Sequence, residues 1–469
     1  MTFTHRFDPT CLRAYDIRGT VGRTLRVEDA YAIGRTFGSI VARAGGRRIV
    51  IGYDGRLSSP SLEHALVAGA MASGMDVLRI GCGPTPMLYF ASAELEADGA
   101  IMVTGSHNPP DHNGFKLLLA NRPFFGDDIQ HLGQMAASGD VVAETAGTVR
   151  DMDIRPAYVD RLLRDIDGTG RPLNVVWDNG NGAAGDIISL LVKRLPGRHH
   201  VLNARIDGSF PAHHPDPTVP ENLQQLIAAV RADGADLGIA FDGDADRIGV
   251  VDNTGGILWG DQLLVVLARD VLRDHPGATV IADIKASQTL FDEIDRAGGR
   301  PLMWKTGHSL IKAKMAETGA PLAGEMTGHI FFADKWYGFD DALYAALRLL
   351  DIVSHLKGPL SDIRLALPQT INTPELRFEC AEARKFDVIA EVAARLEKSG
   401  ASVSRIDGVR VTTPDGWWLL RASNTQAVLV ARVEAETHAG LERLKAELGT
   451  QLAQSGVRAP DFTAAASGA

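Results

Sequence analysis

The sequence predicts an α/β protein, with three similar α/β domains of mixed sheets followed by a C-terminal α+β domain. Three observations predict it. The 469 residues are 45% hydrophobic and 23% charged with 49 glycines, the balance of a globular chain rather than a fibrous or disordered one. Apolar strand-like runs alternate with helix-like stretches, the pattern of a parallel sheet wrapped by helices. That alternation recurs three times, each round ending in a polar loop at the same topological place.

In the first round, a strand over 48–56 leads into an Ala-, Leu- and Met-rich helix over 59–73, followed by strands over 76–80 and 100–103. The second round runs through strands over 173–178, 201–204 and 235–241, and the third through 278–283, 300–304 and 320–323. The closing loops are 104–110, 242–247 and 324–329. Parallel sheets commonly end strands in polar loops, so the repeat bears on fold more firmly than on function. Charged helix formers over 151–164 predict a connecting helix, and Pro359, Pro368 and Pro374 predict a break into the last part. There, helical stretches over 383–398 and 438–453 surround short strands such as 408–412. The expected boundaries are 1–153, 154–254, 255–367 and 368–469, with a frayed small-residue end.

Composition excludes several classes. A formal charge of −10 disfavours a nucleic-acid partner. No apolar run is long enough for a bilayer, and the first residues lack the apolar core of a signal peptide, so no membrane partner and a cytoplasmic location are expected. Cys11, Cys82 and Cys380 form neither a disulfide framework nor a zinc pattern. The expectation is a small-molecule substrate; a monomer is favoured, though the sequence does not fix the oligomeric state.

The loops carry the chemistry. The run Ile101-Met102-Val103 stops in Thr104-Gly105-Ser106-His107-Asn108-Pro109, leaving Ser106 at the carboxyl end of a strand, as a nucleophile or phosphate acceptor would be. An ordinary Ser/Asn turn would read the same in isolation. In Asp242-Gly243-Asp244-Ala245-Asp246-Arg247, three carboxylates at alternate positions repel unless a cation sits between them, and hard oxygen donors favour Mg²⁺ or Ca²⁺ over zinc. An EF-hand is disfavoured by Arg247 at the sixth position, Asn253 at the twelfth and strands on both flanks. Gly180-Asn181-Gly182-Ala183-Ala184-Gly185 matches a dinucleotide fingerprint, but Asp178 and Asn179 continue the chain before the first glycine, and a tight strand-to-helix crossing is the plainer reading. Arg421-Ala422-Ser423-Asn424-Thr425 sets one guanidinium beside three neutral hydrogen-bonding side chains, a composition suited to holding a phosphate without reacting with it.

Taken together, and in this order along nearly the full chain, the 104–109, 242–247, 324–329 and 421–425 motifs resemble those of the α-D-phosphohexomutase superfamily. Gly324-Glu325-Met326-Thr327-Gly328-His329 is similar to the sugar loop of its bacterial phosphomannomutase/phosphoglucomutase branch. The resemblance implies a heart-shaped enzyme whose four domains each send one loop into a central cleft: phosphoserine, metal, sugar and phosphate loops in chain order. It implies that Ser106 is phosphorylated in the resting enzyme and that Mg²⁺ is held by that phosphate with Asp242, Asp244 and Asp246. By it, Glu325 and Thr327 hold sugar hydroxyls, while Arg421, Ser423, Asn424 and Thr425 grip the phosphate not being transferred. Tyr15 and Arg18, within Ala14-Tyr15-Asp16-Ile17-Arg18-Gly19, are placed in the cleft. Lys116, Arg247, Lys285, His308 and His329 fall at positions the family uses for binding or proton transfer, with His329 and Lys116 as candidate general bases. The implied reaction interconverts the 1- and 6-phosphates of mannose and glucose through a bound 1,6-bisphosphate, with glucose 1,6-bisphosphate as activator. A phosphoglucosamine mutase and a phosphoserine-dependent sugar phosphatase stay open as alternatives. Thr327, where many relatives carry Ser, and Gln426, where other branches often carry Glu, leave the sugar preference open.

Overall fold

A computed structural model describes residues 3–142, 146–424 and 426–462. Three of its sheets repeat one order, which is hairpin partner, third strand, first strand, second strand. In the first sheet this is His112–Leu119, Gly99–Val103, Arg48–Tyr53 and Asp76–Cys82. In the second it is Ile248–Asp252, Leu237–Phe241, Leu173–Asp178 and Gly197–Leu202, and in the third Ile330–Phe332, Leu322–Gly324, Thr279–Asp283 and Arg300–Trp304. The third, first and second strands of each sheet pair in parallel and the hairpin partner returns antiparallel. The polar loops singled out above are therefore the same hairpin turn, made three times. Each follows a buried strand such as Gly99–Val103 or Leu237–Phe241. A strand buried on both faces reads as an unbroken apolar run, which is why these were legible.

The fourth sheet is antiparallel, built on Val428–Ala435, Gly416–Ala422, Val409–Thr413 and Ser402–Ser404, with Leu376–Glu379 against the far side of Val428–Ala435. The helices Lys385–Ser399 and His438–Gln454 bury Val388, Val392, Leu444 and Leu448 in the same core. That core is separate, whereas one continuous apolar cluster runs from Tyr89 and Phe90 through Tyr158, Trp177 and Phe241 to Phe332 and Tyr344. The first three domains thus share a core, and the fourth meets the third over a small patch of Ile284, Trp417 and Leu419.

Two local expectations need correction. The strand read over 201–204 is Gly197–Leu202, and Asn203, at a φ of 53°, ends it. His199 and His200 concealed its first half, because this edge strand is only half-buried and accepts polar side chains. The proline-marked break over 358–374 contains a short helix, Leu360–Ala366, with Pro359 at its N-cap and Pro368 just beyond its end. These prolines delimit a helix instead of preventing one. No helix among the described residues is long and apolar enough to cross a membrane.

Candidate active site

The three hairpin loops interlock. A side chain on Gly243 would lie 2.4 Å from the carbonyl oxygen of Ser106, so the 242–247 loop approaches the Ser106 loop more closely than any other residue would allow. Gly328, at a φ of 91°, sits equally close to the carbonyl of Ile248, where Ile248 N donates to Gly328 O at 3.1 Å. Arg247 and His329 pair as an isolated antiparallel bridge. From below, Ala183 N donates to Gly243 O at 2.9 Å, so the glycine-rich crossing at 180–185 supports the Asp loop.

Ser106 stands at a φ of 49° in the left-handed region, a strained conformation for a residue with a side chain. Arg56, fully buried, holds it there. Its Nη2 donates to the carbonyls of Ser106 and Asn108 at 2.7 and 2.6 Å, and its Nη1 to those of Pro109 and His112 at 2.5 and 3.0 Å. Asp54 balances the charge, 3.2 Å from Arg56 Nε, and its Oδ2 also accepts from Thr104 Oγ1 and Gly105 N. The seryl oxygen is 2.9 Å from Asp242 Oδ2 and 3.1 Å from His107 Nδ1. Burial, with Arg247 and Arg18 nearby, lowers the His107 pKa well below the usual range, so this ring is neutral. Arg56 and His107 were not singled out from the sequence as site residues. The available signals were that Asp54-Gly55-Arg56 ends a strand at the same sheet edge and that His107 adjoins the serine.

Asp242, Asp244 and Asp246 are all buried, and an oxygen of each lies within 4.8 Å of the others. Part of their repulsion is relieved from within the chain: Lys116 Nζ donates to Asp244 Oδ2 at 2.8 Å and also contacts Asp246 Oδ2. Asp244 Oδ1 is buried without a hydrogen-bond donor, and Asp246 Oδ1 has only His329 Nε2 beside it, at 3.3 Å, a costly state for a carboxylate. Burial and the charges of Asp246 and Asp244 push Asp242 well above the carboxylate range. Burial also works against ionisation of Asp246, but Lys116, His329 and Arg247 outweigh it and hold that group well below the range. A cluster of buried carboxylates with a donorless oxygen, one of them hydrogen-bonded to a seryl oxygen, fits a hard divalent cation.

His329 lies between two acids, with Nδ1 2.7 Å from Glu325 Oε2 and Nε2 3.3 Å from Asp246 Oδ1. Burial opposes its charge, yet Asp246 and Glu325 raise its pKa to about 9 against the nearby Arg247. Burial likewise opposes the charge of Lys116, but Asp244 and Asp246 raise its pKa well above the ordinary value. The two residues read from sequence as candidate bases both carry a proton in this arrangement, held there by the neighbouring carboxylates. Glu325, whose other oxygen accepts from Gly307 N at 2.7 Å, is held down to about 2: His329 and Lys285 overcome the effect of its burial. Thr327 Oγ1 is 3.4 Å from His329 Nδ1. His308, whose pKa burial and Lys312 drive well below the usual range, packs its ring 5.7 Å from that of His329.

Of the remaining predicted residues, Arg18 stays within the first domain and the others lie at the junction with the fourth. Tyr15 OH donates to Thr306 O at 3.0 Å and accepts from Asn424 Nδ2 at 2.6 Å, joining the first, third and fourth domains. Arg18 pairs with Asp16 and donates to Asn108 Oδ1 at 3.1 Å. Arg421 is 3.0 Å from Asp407 Oδ2, and Lys285 Nζ donates to Glu375 Oε2 at 2.8 Å. Ser423 Oγ accepts from Gln426 N at 3.2 Å. Thr425 lies outside the described residues. Asp407 and Glu375 hold these cations in place, and sequence reading missed both, since an isolated acid in a loop carries no pattern.

The chain matches family models for all four domains of phosphoglucomutase/phosphomannomutase: α/β/α domain I over residues 10–140, domain II over 156–256, domain III over 259–371 and the C-terminal domain over 375–450. It is 48% identical over 440 residues to a phosphomannomutase/phosphoglucomutase of Pseudomonas aeruginosa, covering 94% of this chain and 95% of that one. To a phosphoglucomutase of Neisseria gonorrhoeae it is 47% identical over 436 residues, covering 92% and 94%. The crystal structure of a phosphoglucomutase/phosphomannomutase family protein from Burkholderia thailandensis superposes with a TM-score of 0.91 at 45% identity, over 96% of this chain and 98% of that one.

Proposed function

The chain belongs to the phosphoglucomutase/phosphomannomutase family, and we propose that Ser106 carries the phosphoryl group this isomerase moves between the 1- and 6-positions of mannose and glucose phosphates. The observation that supports this assignment most is the meeting of Ser106 Oγ with Asp242 at 2.9 Å, in a buried cluster with Asp244 and Asp246 where Asp244 Oδ1 has no hydrogen-bond donor. Together with a phosphorylated Ser106, those three carboxylates would hold Mg²⁺. When bound, the ion supplies charge neutralisation at the transferring phosphoryl oxygens.

The chain's own residues do the rest. Arg247, Lys116 and Arg18 surround Ser106 with fixed positive charge in a site from which water is largely excluded, where charge developing during transfer is stabilised without reorganisation. His329 exchanges a proton with the sugar hydroxyl, giving it in one direction and taking it back in the other, with Glu325 fixing its ring. Tyr15, Lys285, His308, Glu325 and Thr327 receive the sugar and its ester. Arg421, Ser423, Asn424 and Thr425 hold the phosphate at the far end. Transfer from phospho-Ser106 to the free hydroxyl yields a hexose 1,6-bisphosphate, which turns end for end and returns its other phosphate to Ser106. Glucose 1,6-bisphosphate activates by recharging Ser106 after the intermediate is lost.

With Mg²⁺ and a trace of glucose 1,6-bisphosphate, the protein should interconvert the 1- and 6-phosphates of glucose and of mannose. S106A should lose at least ~10³-fold of that activity, and peptide analysis should place the phosphoryl group on Ser106 alone. An S106A variant with full turnover would refute the assignment. Release of inorganic phosphate in place of the isomer would favour the phosphatase.

A further inference from the structure

The segment of the third domain that carries Lys285 is held largely by side chains of the fourth. Arg410 donates to the carbonyls of Ile284 and Ala286 at 2.7 and 2.9 Å. Arg432 donates to the carbonyl of Lys285, between them, at 2.5 Å, and the same Nη1 contacts the sulfur of Met326. Glu434 accepts from the hydroxyl of Ser287 at 2.9 Å and the amide of Gln288 at 3.1 Å. Apart from these bonds, the apolar contact at this junction is the small patch of Ile284, Trp417 and Leu419.

Arg432 alone of the three contacts the 324–329 loop. It is 6% exposed, and its nearest carboxylates, Asp261 and Glu434, both stand 3.7 Å away, beyond hydrogen-bonding distance. Its close polar contacts are instead to the backbone carbonyl of Lys285 and to the sulfur of Met326, in the middle of the 324–329 loop. A buried guanidinium so placed ties two substrate loops of one domain to a strand of another. Its fork is rigid, so displacing Val428–Ala435 would change both contacts at once.

We infer that Arg432 is a positioning residue, coupling the setting of the fourth domain to the placement of Lys285 and Met326, so that capture of phosphate at Arg421 and of hexose at the sugar loop occur together. This rests on the mutase reading above. A bisphosphate that turns in place must be contained on both sides while it does so, and a fourth domain uncoupled from the sugar loop releases it more often. Arg432 touches neither the reacting oxygen nor the metal loop, so its loss acts on retention of ligand rather than on the transfer step.

The test compares wild type, R432K and R432M in the glucose 1-phosphate assay across a range of added glucose 1,6-bisphosphate, together with thermal unfolding. In R432M, KM and the bisphosphate concentration for half-maximal rate should each rise at least ~10-fold, while kcat at saturating bisphosphate stays within ~3-fold of wild type. R432K, which keeps a charge but not the fork, should fall between. Unchanged KM and bisphosphate requirement in both variants would overturn the inference, whether kcat falls or holds. If R432M does not fold, R432K decides: shifted KM and bisphosphate requirement at an unchanged melting temperature support the coupling, and wild-type values overturn it. A wild type idle on every hexose phosphate would overturn the mutase reading and the coupling with it, a result distinct from a working enzyme indifferent to Arg432.

Discussion

Replacing Arg56 with methionine, which keeps an apolar stem and deletes the guanidinium, should release the loop that carries Ser106. The guanidinium spans four loop carbonyls at 2.5 to 3.0 Å and faces Asp54 at 3.2 Å, with no exposed side-chain surface. Deleting one partner of a buried charged pair costs ~3–5 kcal/mol, because the other is left buried and unpaired. Holding a non-glycine residue in the left-handed region costs ~1–3 kcal/mol. The anchor exceeds the strain it opposes, so without Arg56 the backbone at Ser106 returns to an ordinary conformation. Displacing a reacting group by about 1 Å costs on the order of 100-fold in rate. R56M should therefore transfer phosphate from glucose 1,6-bisphosphate to Ser106 at least ~100-fold more slowly in a rapid-quench experiment. Its urea unfolding should show a stability lower by ~3–5 kcal/mol. R56K should recover only part of either, since an ammonium presents its donors from a single point. Transfer within ~3-fold of wild type at an unchanged unfolding midpoint would refute this account of the loop.

If Thr327 faces the sugar as proposed, its methyl lies there too, and T327S should change the ratio of mannose to glucose turnover by about 10-fold with little effect on their common kcat scale, since one methyl in a pocket discriminates by at least roughly that much; an unchanged ratio on paired substrates would remove Thr327 from sugar selection. Asp341 caps the helix Ala342–His355 through Tyr344 N at 2.9 Å and accepts from Tyr158 OH at 2.8 Å, and burial raises its pKa from 3.8 to about 7. The folded state thus binds this proton more tightly than the unfolded chain, so stability falls as pH rises from 3.8 towards 7 and stays lower above it. D341N keeps a capping oxygen and removes the charge, and its advantage in unfolding midpoint over wild type should widen between about pH 5 and about pH 8. An advantage independent of pH would refute that reading.

How much of this was legible follows from how each element is stabilised. Strands such as Leu237–Phe241 are buried on both faces and must be apolar throughout, so composition alone revealed them. The edge strand Gly197–Leu202 is half-exposed, and its histidines misled a reading that relies on burial. The motif residues were found because each loop is a contiguous run whose chemistry is local: a serine in a turn, three alternating carboxylates, a guanidinium beside hydroxyls. Arg56, Asp407 and Glu375 were not found, because each acts on a partner at least 14 residues away in sequence.

By itself the sequence determined the threefold repeat and the position of one reactive loop in each round, because hydrophobic period and turn chemistry are properties of neighbouring residues. Only the tertiary structure decided that Lys116 lies between Asp244 and Asp246, that His329 is flanked by acids from two domains and carries a proton, and that Arg432 reaches from the fourth domain to the sugar loop. Charge state and coupling depend on distances across the fold, and those are set when the sheets pack and water leaves the space between them.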